Sequence, residues 1–367
     1  MNGVSRRGLF GVAAAGAALA AVPGRAAREK PVFGPPPGVA QLSRNENPYG
    51  PSPAALRAMA DAASAGCYYS NGAEERLAAM IAERHGLSPA HVMIGAGSTE
   101  VLNCATIALA REGEIVAPEL LFEPPLAYAE RKGAVVRRVP LRPDMHMDLA
   151  ALLSAITPET RLVHLCNPNN PTGLVLPGDT IRAFLSRVPA HVTVLVDEAY
   201  NELTPAPESF SVVDRVAAGD NLIVTRTFSK LHGLAGLRVG YAMARPDLLD
   251  TIAGWSMSNG GNAAGLAAAI ATYDDRPFLS FSKARIEEAR SLIVEAASAL
   301  GLETLPSACN FVTVKVPDAN RLHAALKAQG IDIRPAYGKW TRWSRVSCGR
   351  IEDVKRYAAA LPRALAA

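Results

Sequence analysis

Hydrophobic and polar positions follow two different periods along this chain. Between residue 91 and about residue 243, short apolar, β-branched runs predict strands, and amphipathic runs between several of them predict helices. The predicted strands lie at 91–94, 114–117, 134–139, 161–165, 192–196, 221–226 and 238–243. This alternation is typical of an α/β domain with a mostly parallel sheet.

The last hundred residues show a different order of elements. Amphipathic runs predict helices at 276–300, 318–329 and 351–365, and short runs predict strands at 310–316, 331–334 and 344–348. This part predicts a smaller α+β domain. We therefore divide the chain into an arm rich in proline and glycine (28–52), a large domain (53–272) whose first helix begins near Pro53, and a small domain (273–367).

The first 27 residues differ from everything that follows. A basic start at Arg6 and Arg7 leads into an alanine-rich apolar run to Val22, and small residues end the segment. This pattern is typical of a secretory signal, and its apolar run is too short for stable membrane insertion. The paired arginines resemble the signal of the twin-arginine route, which predicts export to the periplasm after cleavage near Ala26. The alternative is a plain leader on a cytoplasmic protein.

Composition and charge limit the possible partners. A content of 49% hydrophobic and 20% charged residues is typical of a globular protein with a large core. The net charge is +4, and three of its positive charges belong to the first 27 residues, so the remainder offers no basic stripe for nucleic acid. The five cysteines form no CxxC or Cys/His cluster, which predicts no metal site and leaves open whether they are reduced or paired.

The polar segment after strand 221–226 has the most informative chemistry. Thr227, Ser229 and Lys230 come first, and Arg238 follows eight residues after the lysine. A lysine forms an imine with an aldehyde when burial or a nearby cation lowers its pKa, and hydroxyls with an arginine suit a phosphate. The segment therefore predicts a bound aldehyde with a phosphate close by. The alternative is an ordinary surface lysine after a strand.

A second anion site is predicted where strand 91–94 leads into a helix. The connecting segment contains Gly97, Ser98 and Thr99. Backbone N–H groups and the helix dipole favour a phosphate at such a helix N-terminus. The alternative is an ordinary helix start with Ser98 as its N-cap.

Two further polar segments follow strands 161–165 and 192–196. The first contains Asn170, and the second contains Asp197 and Tyr200. In α/β sheets ligands bind at the carboxyl ends of strands, so these residues are expected to meet Lys230. Pyridoxal 5′-phosphate would satisfy the whole set, with Asp197 at the ring nitrogen and Asn170 and Tyr200 at the phenolic oxygen. Phe122 would stack on the ring, unless it is an ordinary core aromatic residue.

Arg345 is a candidate for substrate binding. It lies in a strand pattern between apolar or small residues. A buried arginine usually has an anionic partner. We predict a substrate carboxylate as this partner, and an internal salt bridge is the alternative.

Eight motifs, in order, resemble those of the fold-type I aminotransferases that depend on pyridoxal phosphate, and in particular the histidinol-phosphate aminotransferase branch. They cover nearly everything after residue 40 and read N-E-N-P-Y-G (45–50), G-A-G-S-T-E (95–100), C-N-P-N-N-P-T-G (166–173), V-D-E-A-Y (196–200), T-F-S-K (227–230), G-L-R-V-G (236–240), A-C-N-F (308–311) and S-R-V-S-C-G (344–349).

The resemblance implies roles for individual residues. Lys230 would bond to the cofactor and shuttle a proton, and Arg345 would bind the carboxylate of the amino acid. Asn47 would belong to the substrate site, and Arg334 would lie near the substrate side chain, where it can face a phosphate. Tyr69 would reach the phosphate of the cofactor in a neighbouring subunit, which implies a homodimer.

The function implied is transfer of an amino group between an amino acid, or an amino phosphate ester such as histidinol phosphate, and a 2-oxo acid. The chain departs from the family pattern after Tyr69 and before Asn262, and Trp340 and Trp343 are expected to crowd the approach to Arg345. Because these changes lie where substrates are selected, the donor stays open. So do two alternatives, a decarboxylase or other lyase using the same cofactor and a cofactor-binding protein without turnover.

Overall fold

The computed structural model describes residues 33–366. Residues 38–366 belong to one compact unit, and residues 33–37, which contain two bends and the start of a turn, are assigned to a separate one. The predicted leader and its cleavage site lie outside the described residues. Within residues 33–366, none of the helices has both the length and the apolar composition needed to cross a membrane.

The regular elements alternate along the chain. The strands are β1 (Ala40–Leu42), β2 (Val92–Gly95), β3 (Glu114–Pro118), β4 (Val135–Val139), β5 (Thr160–Cys166), β6 (Thr193–Asp197), β7 (Leu222–Thr227), β8 (Gly240–Ala244), β9 (Phe311–Lys315), β10 (Ile331–Ile333) and β11 (Trp343–Ser347). The helices are α1 (Pro53–Ala63), α2 (Asn71–His85), α3 (Ser98–Ala110), α4 (Pro124–Arg131), α5 (Leu149–Ser154), α6 (Gly178–Leu185), α7 (Pro207–Phe210), α8 (Asp214–Ala217), α9 (Pro246–Ala253), α10 (Ala263–Tyr273), α11 (Arg276–Ser298), α12 (Ala319–Lys327) and α13 (Ile351–Ala366).

A seven-stranded sheet with the order β2-β8-β7-β6-β5-β3-β4 forms the centre of the protein. Strands β4, β3, β5, β6 and β7 pair in parallel, and β8 is antiparallel to both of its neighbours. Strands β6 and β7 are buried along their whole length because helices cover both faces of the sheet. The prediction of an α/β fold with a mostly parallel sheet is confirmed.

Local sequence explains where α1 begins. The Ser52 side chain accepts a hydrogen bond from the backbone N–H of Ala55 at 3.1 Å, and Pro53 occupies the first helical position, where its missing N–H removes no helical bond. The helix starts where the proline-rich segment predicted it.

A second core lies around the C-terminal elements. Strands β9 and β11 pair antiparallel, and α11, α12 and α13 pack with them around side chains such as Phe311 and Tyr357. Strand β1 joins this part by pairing in parallel with β10, with Leu42 opposite Ile333. The sequence did not predict this strand at residues 40–42, because three residues show no period and their partner strand lies far along the chain. The boundary between residues 272 and 273 stays a prediction.

Candidate active site

A cavity of about 800 Å³ opens at the carboxyl ends of the parallel strands. Most of the residues predicted from the sequence line it, namely Ser98, Thr99, Phe122, Asn170, Asp197, Tyr200, Thr227, Ser229, Lys230, Arg238, Arg334 and Arg345. Phe122 also packs against the core cluster beside it, so it is both a cavity residue and a core aromatic. The fold thus gathers side chains that are more than 240 residues apart in sequence.

Lys230 follows β7 and lies at the centre of this group. Its Nζ donates a hydrogen bond to the carbonyl oxygen of Asn45 at 3.2 Å and lies 5.5 Å from the centroid of the Tyr200 ring. Burial, with the positive charge of Arg345, lowers the pKa of the Lys230 amine to about 8, although Asp197 opposes the shift. A substantial fraction of the amine is therefore neutral near pH 8 and able to act as a nucleophile.

Asp197 ends β6 and is only 3% exposed. Its Oδ1 accepts hydrogen bonds from Thr225 Oγ1 at 3.1 Å and from the N–H of Ala199 at 3.2 Å, whereas the only contact of Oδ2 in the described part of the chain is the Cys166 thiol at 4.0 Å. No salt bridge within residues 33–366 involves Asp197, and burial raises its pKa to about 6. A buried carboxylate without a cationic partner fits a protonated ring nitrogen.

The start of α3 has the features of an anion site. Its N-cap is Gly97 with φ 79°, not Ser98, and no side chain caps the first turn. The alternative that used Ser98 as the cap is wrong, because Gly97, with its positive φ angle, already forms the helix boundary and Ser98 is the first helical residue. Arg238 reaches the same place, with Nη2 3.3 Å from the Ala96 oxygen and Nη1 3.4 Å from Ser229 Oγ. Open N–H groups, hydroxyls and a guanidinium without a carboxylate partner in the described residues fit a phosphate.

Glycine is required at position 97 by its neighbour as well as by its φ angle. A Cβ on Gly97 would lie 2.1 Å from Arg238 Nη2. We expect Gly97→Ala to displace Arg238 and to weaken the binding of pyridoxal 5′-phosphate by about tenfold or more, since strain of about 1–3 kcal/mol accompanies such a conformation. Absorbance titration of cofactor-free protein measures this. Gly254→Ala, with no atom closer than 3.6 Å, is the control, and equal affinities in the two variants would contradict the assignment.

Arg345 in β11 is a buried cation without a carboxylate partner among the described residues, so the alternative of an internal salt bridge is wrong. It is 6% exposed. Its Nη1 donates to Asn170 Oδ1 at 2.8 Å, and Nη2 donates to the Ser43 carbonyl. Its Nε has no hydrogen-bond partner within residues 33–366, and burial lowers the pKa of the guanidinium. A substrate anion would neutralise this charge.

The two residues predicted at the phenolic oxygen have free donors. Asn170 uses its oxygen for Arg345, and its amide nitrogen has no hydrogen bond to the described residues. Tyr200 is buried and its oxygen accepts from Asn45 Nδ2 at 3.0 Å, which leaves its O–H available. Asn45, with φ 56°, thus holds both Tyr200 and Lys230, a role that sequence reasoning missed.

Three of the predicted residues, Gly97, Asn47 and Tyr69, are not among those that line the cavity. The Asn47 amide donates to the carbonyl of Leu231 at 2.8 Å and to the hydroxyl of Ser282, so it fixes the segment beside Lys230. Tyr69 is 80% exposed on the protein surface. Contacts of Asn47 with substrate and of Tyr69 with a neighbouring cofactor stay predictions.

The two tryptophans are also placed differently from the prediction. Trp340 and Trp343 pack into a small apolar cluster, and neither lines the cavity. Tyr337 lines it instead, with its ring centroid 5.3 Å from Arg334 Cζ and 5.6 Å from Arg345 Cζ. The expectation that the tryptophans crowd Arg345 is therefore wrong, because their rings find apolar partners such as Leu120 and Leu174.

Comparison with known families decides the class of protein. The family described as aminotransferase class I and II matches residues 37–361. The chain belongs to this family. Histidinol-phosphate aminotransferase 1 of Cupriavidus pinatubonensis is 40% identical over 337 residues, which cover 89% of each chain. Histidinol-phosphate aminotransferase 2 of Ralstonia nicotianae is 38% identical over 335 residues, again covering 89% of each chain.

Solved structures are similar over the same length. The histidinol-phosphate aminotransferase from Sinorhizobium meliloti, in complex with pyridoxal-5'-phosphate, gives a TM-score of 0.83 at 31% identity and covers 89% of this chain and 90% of that chain. A putative histidinol-phosphate aminotransferase from Erwinia carotovora atroseptica gives 0.85 at 30% identity, covering 90% and 98%.

The aminotransferase uses pyridoxal 5′-phosphate and transfers amino groups between amino acids and 2-oxo acids. Its cavity fits that cofactor: Arg238 and the start of α3 would hold the phosphate, Asp197 would face the ring nitrogen and Lys230 would meet the aldehyde. The predictions of fold type, cofactor and aminotransferase activity are confirmed.

All five cysteines lie within residues 33–366 and are free, and only Cys67 is exposed.

Proposed function

We propose that this aminotransferase takes its amino group from a donor that carries a phosphate or carboxylate, such as histidinol phosphate, and passes it to a 2-oxo acid. The observation that carries the proposal is Arg345, a buried cation that lines the cavity with Lys230 and has no carboxylate partner among the described residues. Arg334, exposed on the same wall, adds a second positive charge. The names of the relatives support a phosphorylated donor.

Lys230, Asp197 and Arg345 have different roles in the proposed reaction. When bound, pyridoxal phosphate supplies an aldehyde that bonds to amines and a ring that withdraws electrons. Lys230 Nζ accepts the proton from the substrate carbon that bears the amine and later returns a proton. The Asp197 carboxylate keeps the ring nitrogen protonated. Arg345 orients the substrate by binding the anionic group of the substrate.

A half-reaction with the purified, cofactor-loaded protein tests the proposal. Histidinol phosphate and histidinol form a matched donor pair that differs only in the phosphate, and a panel of amino acids completes the set. We expect the anionic donors to convert the cofactor to its amine form and yield a carbonyl product. Conversion by uncharged donors alone would contradict the proposed donor class, and carbon dioxide released without a keto acid would indicate the lyase.

Export by the twin-arginine route is part of the proposal. It rests on the pair Arg6 and Arg7 before an apolar run, and on a fold that surrounds its cofactor and would need to form before export. Cell fractionation is expected to find a shortened protein in the periplasm, and the full-length precursor in the cytoplasm when both arginines are changed to lysine. A full-length wild-type protein found only in the cytoplasm would contradict export.

A homodimer is supported by one exposed surface. Tyr68 and Tyr69 are 77% and 80% exposed and lie beside an apolar groove between α1 and α10. Exposed aromatic residues next to an apolar groove are typical of an interface. Sedimentation equilibrium of the cofactor-loaded protein is expected to give twice the chain mass. A fully active monomer would contradict the dimer.

A further inference from the structure

We infer that Arg44 and Arg131 form a second anion subsite at the rim of the cavity, which selects donors with an anionic group at the end distant from the reacting amine. This inference rests on the proposed function and adds a site beyond Arg345 and Arg334. The cavity of about 800 Å³ lies in the upper part of the usual range for small-molecule sites, roughly 300–1,000 Å³, and so has room for the cofactor and an extended substrate.

The arginines that form salt bridges are distinct from those that line the cavity. Eleven arginines within residues 33–366 form salt bridges with carboxylates, and none of these lines the cavity. Arg44 and Arg131 line the cavity, and neither side chain has a hydrogen bond, ion pair or ring contact in the described part of the chain. These two charges therefore make no salt bridge or hydrogen bond that stabilises the described part of the fold.

Helix α4 presents Arg131 to the cavity. Pro124, Ala127 and Arg131 line it and lie at the spacing of one helix face, whereas Leu126 and Ala129 on the other face are buried. The two acids nearest to Arg131 in the sequence are unavailable, because Arg138 on β4 binds both Glu123 and Glu130 at 2.5 Å. Arg131 thus remains an uncompensated positive charge, although the carbonyl end of the helix also favours a cation there.

Arg44 lies in the sequence between two residues that contact the reactive groups. The carbonyl of Ser43 accepts from Arg345, and the carbonyl of Asn45 accepts from Lys230 Nζ at 3.2 Å. The backbone of Arg44, from which its side chain extends, therefore lies between Arg345 and the Lys230 amine. Glu46 is also exposed at this wall and forms no salt bridge within residues 33–366, although its charge acts on the nearby Lys230 amine. One carboxylate there reduces the positive potential without cancelling two arginines.

Matched donors and matched variants test the subsite. The variants are Arg44→Gln, Arg131→Gln and the double variant, and Arg187→Gln is the control because Arg187 is exposed, has no side-chain partner in residues 33–366 and lies outside the cavity lining. L-glutamate and L-glutamine differ in the distal carboxylate, and O-phospho-L-serine and L-serine differ in a phosphate. The quantity measured is the ratio of kcat/KM between the charged and the neutral donor of each pair.

Each single variant is expected to lower this ratio about threefold, and the double variant about tenfold, as for charge pairs near a surface. The effect should shrink as salt is added. The dissociation constant of glutarate, a dianion without an amine, should rise by a similar factor in a calorimetric titration of the cofactor-loaded protein. The donor pair with the larger change shows whether the subsite prefers a carboxylate or a phosphate. Arg187→Gln should leave all of these values unchanged.

Three results would overturn the inference. The ratio could stay unchanged in both donor pairs, charged and neutral donors could lose rate equally, or the variants could change the sedimentation of the protein without changing the ratio. Failure of the proposed function would look different, because the wild-type protein would then convert no anionic donor at all.

Discussion

Replacement of Lys230 by alanine is expected to lower the rate of amino-group transfer by about 10⁴-fold, the upper range for loss of a positioned general base. Lys230 Nζ is the only lysine amine that lines the cavity within the described residues, so no other lysine can take over. Steady-state assays of Lys230→Ala and Lys230→Arg measure the loss, because arginine keeps the charge but cannot be deprotonated. Lys327→Ala, an exposed lysine on α12, is the control. More than a tenth of wild-type activity in either variant would contradict the role of Lys230.

The same lysine should give a pH dependence. Because burial lowers the pKa of Lys230 to about 8, the neutral and reactive fraction of the amine grows as pH rises through that value. The rate at which cofactor-free protein takes up pyridoxal phosphate covalently should therefore increase with pH and level off above about pH 9. A rate that falls over this range would contradict the assigned nucleophile.

Replacement of Asp197 by asparagine has the second largest expected effect. Asparagine keeps an oxygen for Thr225 Oγ1 and the Ala199 N–H but removes the negative charge that we propose faces the ring nitrogen. We expect kcat to fall by about 10²–10³-fold, as when one preorganised electrostatic group is lost. The measurement is kcat in the half-reaction. An Asp197→Asn enzyme with a kcat close to the wild-type value would contradict the role of the carboxylate.

The stability of the Asp197 variant should change in opposite directions with and without cofactor. In cofactor-free protein, burial raises the pKa of Asp197 from 3.8 to about 6, so its stabilising contribution is present below about pH 4 and is lost as pH rises through 6. At pH 7.5, Asp197→Asn should therefore stabilise cofactor-free protein, by about 3 kcal/mol at most. It should destabilise the loaded protein relative to wild type. Urea unfolding of both forms measures this.

Glu198→Gln provides the matched contrast. Glu198 follows Asp197 directly, but its carboxylate pairs with buried Arg226 at 2.8 Å instead of lining the cavity. This variant should destabilise the protein in both forms, by about 3–5 kcal/mol as for a broken buried ion pair, and leave the half-reaction rate of the folded fraction near the wild-type value. If both variants lose stability in both forms, the special role of Asp197 is contradicted.

The sequence predicted the central sheet well because its strands are long enough to show their pattern. Strand β6, predicted at 192–196, lies at Thr193–Asp197, and the polar residues after β5, β6 and β7 meet because parallel strands end at one edge of a sheet. Short elements were missed: β1 has three residues, and its pairing with β10 depends on contacts far along the chain. The role of Gly97 as the N-cap of α3 depends on its positive φ angle, which cannot be read from the sequence motif.

Side-chain partners could not be predicted from the sequence for a similar reason. Asn47 hydrogen-bonds the carbonyl of Leu231, and Tyr337 lies between Arg334 and Arg345. Neither partner could be inferred from the sequence, because both contacts depend on the fold. Arg44 and Arg131 carried no sequence signal, because an isolated arginine in a loop or at a helix end is common on protein surfaces. Only the fold shows that both charges line one cavity without partners in the described residues.

Reduction of the cofactor-loaded protein with borohydride, followed by peptide mass mapping, tests the account most directly. A covalent bond between the Lys230 amine and the cofactor aldehyde would be fixed by the reduction. We expect one pyridoxyl group per chain, on the peptide that contains Lys230. A label on another lysine, or no label in protein saturated with cofactor, would contradict it.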